Sequence, residues 1–75
     1  MTTLYINKFR QKHQDRVTLV KLLVEYQHGI GLRRAKEKME DMLDGVPIEI
    51  EIENSVLSTF QIELEKLNLD FAIQD

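Results

Sequence analysis

Cysteine is absent from the chain, which removes disulfides, thiolate metal sites and thiol catalysis and makes a reducing, cytoplasmic setting the expectation. Long apolar runs are absent too. The longest hold two or three residues, such as Leu22-Leu23-Val24, against the roughly 20 that a membrane helix requires, so no membrane span is expected. The opening residues, Met1 to Lys8, alternate apolar with polar side chains rather than placing a basic stretch before an apolar one, so no signal peptide is expected and Met1 reads as a native start. No serine or threonine lies in a nucleophile-elbow motif, and no glycine-rich phosphate loop follows a strand. An enzyme is therefore not expected, nor a cofactor. Tryptophan is missing, and only Phe9 and Tyr26 stand among the basic residues, which leaves little for nucleic-acid bases to stack on.

What is present is charge, sorted by position. Residues 1–38 carry nine basic side chains against three acidic ones, a balance of +6, whereas residues 39–75 carry only Lys66 against ten carboxylates, a balance of −9. At 75 residues the chain has room for one hydrophobic core, so a single domain over 1–75 is expected.

Thr3 to Phe9 alternate with Leu4 and Ile6 on one side and Tyr5 and Asn7 on the other, the period of a half-buried strand. Asp15 is placed to cap a helix reaching about Gln27, whose Val17, Leu19, Val20, Leu23 and Val24 form a broad apolar stripe. Gly29 and Gly31 flank Ile30 and can supply a positive φ and a tight connection, so a helical hairpin follows. In the second helix Leu32, Ala35, Met39 and Met42 recur at helical spacing, with an end near Asp44-Gly45 and Pro47 beyond it. Ile48, Ile50 and Ile52 alternate strictly with Glu49, Glu51 and Glu53, the clearest strand in the chain. Its glutamates would repel a second copy. Asn54 or Ser55 is expected to cap a third helix with Val56, Phe60, Leu64 and Leu67 on one face, widened by Leu57, stopping near Asn68 before a last strand of Leu69, Phe71 and Ile73.

The order strand-helix-helix-strand-helix-strand predicts an α+β fold. Its three-stranded antiparallel-type sheet would have order 2-1-3, since a right-handed crossover between the last two strands leaves the first between them. Three helices would cover one face, and the other would show Tyr5, Glu49 and Glu51 to solvent.

Folded into a hairpin, Arg10, Lys12, Arg16, Lys21, Arg33, Arg34, Lys36 and Lys38 can form one cationic patch, attractive to acidic protein surfaces or to phosphates; a merely solvated face is the plainer reading. Nucleic acid is the weaker partner, because the acidic half repels it. Glu49, Glu51 and Glu53 read as a solubilising face rather than a metal site, and no metal is expected. His13 and His28 read as surface residues, with His28 at a helix C-terminus where a proton is favoured.

The run Val17-Thr-Leu-Val20-Lys21, followed by Gly29-Ile-Gly31-Leu32-Arg33-Arg34-Ala35-Lys36, resembles the C-terminal domain of the bacterial ribosomal large-subunit stalk protein numbered seven/twelve. That family shows a Val-x-Val-Ile-Lys helix, a Gly-Leu-Gly-Leu turn and a Lys-Glu-Ala-Lys helix in this order. The closing Leu64-Glu-x-Leu67-Asn68-x-x-Phe71-x-Ile73 is similar to its last helix and strand. The chain departs from the pattern at Val24 or Glu25, where the family has arginine, in the glutamate-rich second strand, and at Asn68, where the family has glycine.

The resemblance implies a module whose helical hairpin docks translational GTPases. Arg16, Val20, Lys21, Leu32 and Lys36 match the docking positions, and Gly31 and Arg33 complete the candidate partner-binding set. The adaptor family of the bacterial Clp protease shares the general fold. Its acidic Asn-Asp-Asp turn and His-x-x-Gly are replaced here by Asn7-Lys-Phe-Arg10 and Asp44-Gly-Val-Pro47.

These readings converge on a non-catalytic interaction module whose basic hairpin binds a protein partner with an acidic surface, with a translational GTPase implied by the resemblance. The alternative is a nucleic-acid-binding or regulatory domain using the basic residues of 8–38. A monomer or weak homodimer is expected, the latter through the open sheet face.

Overall fold

A computed structural model describes residues 1–27 and 29–74. Strand β1 (Thr2–Phe9) is followed by helices α1 (Arg16–Tyr26) and α2 (Leu32–Leu43), strand β2 (Ile48–Ile52), a 3₁₀ turn (Asn54–Val56), helix α3 (Leu57–Lys66) and strand β3 (Leu69–Gln74). The predicted α+β order holds, and the three strands form one sheet in the order β2-β1-β3. Both outer strands run antiparallel to β1.

The alternation of the strands sets which face is buried. Leu4 and Ile6 lie opposite Ile50 and Ile48 on one side and Ile73 and Phe71 on the other, so apolar side chains from all three strands share the face that the helices cover. Under them sits one core, with Phe60, Leu4, Ile6, Leu19, Leu23, Ile50, Ile52, Leu64 and Leu69 fully enclosed. The opposite face presents Tyr5 paired with Glu49 and Thr3 with Glu51. There the Tyr5 hydroxyl donates to Glu49 Oε1 at 3.1 Å. That bond to a carboxylate holds the phenol's pKa above its ordinary value.

The pairing of β1 with β3 shifts between Ile6 and Lys8, so Asn7 is the extra residue of a β-bulge. Ile6 faces Phe71, Lys8 faces Asp70 and Phe9 faces Leu69. The bulge explains why the inward residues are spaced 4, 6 and 9 rather than 4, 6 and 8.

Asp15 caps α1 as its sequence position predicts. Its carboxylate accepts the Thr18 backbone N–H at 3.1 Å and the Thr18 hydroxyl at 2.7 Å. These bonds, the hydroxyl's first, hold the carboxyl below the ordinary aspartate range. The buried side of α1 is Leu19, Val20, Leu22 and Leu23, whereas Val17 and Val24 of the expected stripe are exposed. A helix apolar on nearly every side does not choose its own inward face; the sheet and α2 choose it. The third helix also differs from expectation. Asn54 and Ser55 lie in the 3₁₀ turn and α3 begins at Leu57 with no side-chain cap. Asn54 instead accepts a hydrogen bond from the Thr2 hydroxyl at 2.7 Å, tying the end of β2 to the start of β1.

The two glycines of the hairpin connection do different work. Gly29 has φ +81°, in the left-handed region, whereas Gly31 is extended at φ −85°, ψ 166° as the residue before α2, with no side-chain cap. A Cβ would meet nothing at either position, so only backbone preference and capping decide. Gly29→Ala is expected to lower stability by about 1 kcal/mol. Gly31→Ser is expected to raise it by a few tenths of a kcal/mol by capping α2. Urea midpoints of the two variants, moving in opposite directions, check the assignment. His28, read as a helix C-terminal histidine, lies outside the described residues. Asn68 takes the left-handed conformation at φ 54° between α3 and β3, a role for which asparagine is the best substitute for glycine.

Candidate functional site

Helices α1 and α2 pack side by side as a hairpin, and between their exposed flanks runs a groove of about 300 Å³. Its lining brings together Arg16, Val20, Lys21, Leu32 and Lys36, five of the seven candidate residues. They come from successive turns of α1 and from the first turns of α2. Arg16 and Val20 are four apart, as are Leu32 and Lys36, so each pair stacks on one side of its helix.

The floor is apolar. Val17 and Leu32 are 66% and 56% exposed, large hydrophobic side chains that the protein's own core does not claim. Val20 and Met39 lie deeper and belong partly to the core. Cationic groups stand at the rim: Lys21 and Lys36 enter no ion pair among the described residues, and the Arg16 guanidinium donates to Gln14 Oε1 at 2.8 and 3.1 Å. One carboxylate, Glu40, also lines the groove.

The other two candidates do not line it. Gly31 supplies only the extended backbone before α2, and Arg33, 96% exposed at its side chain, leans on Glu37 at 3.8 Å. Val17, Met39 and Glu40 are the lining residues that sequence reasoning left out. By their helical spacing Val17 and Met39 read as core positions, and the signal available for Val17 is its place one turn before Lys21 at the start of α1.

The wider cationic patch is divided rather than continuous. Arg10 lies 3.6 Å from Asp70 beside β3, and Arg34 joins Glu37 at 3.5 Å. Lys38 turns to the sheet, donating to the backbone carbonyl of Glu49 at 3.2 Å and to Gln27 at 3.5 Å. Hence three hairpin cations that enter no ion pair among the described residues, Arg16, Lys21 and Lys36, gather at the groove. On the acidic side, no three histidine, aspartate or glutamate side chains converge as a metal centre requires among the described residues. No described helix is long and apolar enough to cross a membrane.

No family model matches the chain, and neither the curated proteins nor the solved structures offer a match.

Proposed function

We propose that the α1–α2 groove is a protein-docking surface and that the chain is a non-catalytic interaction module. The observation that carries this reading is the exposure of Val17 and Leu32 on a groove floor edged by Arg16, Lys21 and Lys36. Fully burying an aliphatic side chain contributes about 1.5–3 kcal/mol, so two such residues under a partner give a useful share of a micromolar affinity. The rim cations would speed encounter with an acidic partner and fix its orientation more than they would add affinity. A partner of matching chemistry presents an apolar ridge flanked by carboxylates. The resemblance to the ribosomal stalk family makes a translational GTPase the first such partner to examine.

The test uses purified translational GTPases and surface plasmon resonance. The Lys21→Glu/Lys36→Glu variant is expected to slow association at least about tenfold, and Val17→Ala/Leu32→Ala to speed dissociation by a similar factor. These side chains are exposed, so the fold is unaffected. Unchanged kinetics in both variants would exclude the groove. Binding to RNA instead, with affinity falling log-linearly in salt, would favour the nucleic-acid alternative.

A further inference from the structure

We infer that the free edge of β2 receives a fourth strand, an extended peptide from another protein carrying lysine or arginine at alternate positions. The inference is independent of the groove, which lies on the other side of α2.

Strand β2 pairs with β1 alone among the described residues. In an antiparallel ladder the N–H and C=O of one residue point to the same side, and successive residues alternate. Lys38 reaches the Glu49 carbonyl from outside the ladder, so Glu49, Glu51 and Glu53 turn their backbone groups to the free edge and Ile48, Ile50 and Ile52 turn theirs to β1. The Glu53 carbonyl is already taken by the Val56 N–H at 3.1 Å. That leaves the Glu51 N–H and C=O at the middle of an open edge. A recess of about 360 Å³ follows this edge, with the three glutamates on one wall and Tyr26, Gln27 and Lys38 on the other. Such an edge can add a strand through main-chain hydrogen bonds, with flanking side chains setting specificity.

The occupant follows from charge. A strand laid along Glu49–Glu53 would place every second side chain directly across from a glutamate, about 4.5–5.5 Å away between Cβ atoms. Lysine or arginine suits those positions, and a glutamate there is repelled. A second β2, itself glutamate at alternate positions, is therefore refused in the same register. The intervening side chains would face Tyr26, Gln27 and the Lys38 ammonium, which favours uncharged residues between the basic ones. Lys38 occupies the one carbonyl that an incoming N–H would claim at the start of the edge, so it yields its bond when the strand arrives.

The experiment titrates the intact ¹⁵N-labelled chain with acetyl-Lys-Thr-Lys-Thr-Lys-Thr-amide. Two matched peptides carry N-methyl groups on the lysine or on the threonine backbone nitrogens, so each blocks one edge of the probe and keeps its charge. The expected result is binding of the parent peptide, slowed hydrogen exchange at the Glu51 N–H, and a loss of at least tenfold for one methylated peptide but not the other. Equal binding of all three overturns the inference, because the glutamates would then be a diffuse counter-ion surface. Absence of binding at millimolar peptide overturns it as well. So does sedimentation showing a dimer that protects the Glu49–Glu53 amides, which would assign the edge to a second copy.

Discussion

Replacing Phe60 with alanine is expected to cost the chain a large fraction of its stability at 25 °C. Phe60 is the largest of the fully enclosed side chains, and its ring lies 4.9 Å from that of Tyr26, tilted by 56°. Truncating a buried phenylalanine costs about 3–5 kcal/mol, and the lost aromatic pair is part of that penalty. A domain of this length has roughly 4–11 kcal/mol of stability in all, from about 0.05–0.15 kcal/mol per residue, so the substitution removes about a quarter of it at the upper end of that range and all of it at the lower end. Phe60 also joins α3 to the end of α1 through Tyr26, so the hairpin loses its anchor along with the core. Far-UV circular dichroism in urea reads the effect, with Phe60→Leu as a milder comparison that keeps most of the volume. A cooperative transition for the alanine variant with its midpoint unchanged would contradict this account of the core.

Ala35→Leu is expected to lower stability by about 1–3 kcal/mol and to weaken groove docking at least tenfold. Ala35 is fully buried on the inward side of α2, one turn after Leu32 and one turn before Met39. Three added carbons at a fully buried position press α2 away from its neighbours, and the groove between the hairpin's flanks changes width. Strand β2 is hydrogen-bonded to β1, and its free edge touches α2 through the flexible end of Lys38, so peptide addition at that edge is expected to survive in the same variant. Urea denaturation measures the first effect, and resonance with the docking partner beside the peptide titration measures the second. Loss of both binding modes together would indicate general unfolding, which the urea curve identifies at once.

The strands were legible because their periodicity is strict. Ile48, Ile50 and Ile52 against Glu49 and Glu51 leave one choice of inward face, and the structure buries those three isoleucines. The α1 cap was legible from Asp15, whose chemistry acts locally. The orientation of α1 was not, because Val17, Leu19, Val20, Leu22, Leu23 and Val24 surround the helix with apolar side chains and tertiary contacts pick among them. The same ambiguity hid Val17 from the candidate site. Leu32 was read both as part of the second helix's apolar spacing and as a docking position; being the first residue of α2, it projects past the core and is free for the second role only. The β-bulge at Asn7 was concealed for a different reason. Its trace is the interval from Ile6 to Phe9, one residue longer than alternation allows, and a single irregular interval is weak without knowledge of the partner strand. The cationic patch was the least legible feature, since only three-dimensional proximity pairs Arg10 with Asp70 and sends Lys38 to the Glu49 carbonyl.

The place of β1 in the middle of the sheet has a consequence for how the chain reaches its native state. Both neighbours of this first strand come from beyond residue 47, so an emerging polypeptide can wind its helical hairpin long before its opening residues find any partner. Those residues must wait, with Leu4 and Ile6 unpaired, until β2 is synthesised, and their second flank closes only once β3 follows. Pairing across such sequence distances slows folding relative to locally wired domains of equal size, and the waiting strand is the portion most in need of protection from wrong company.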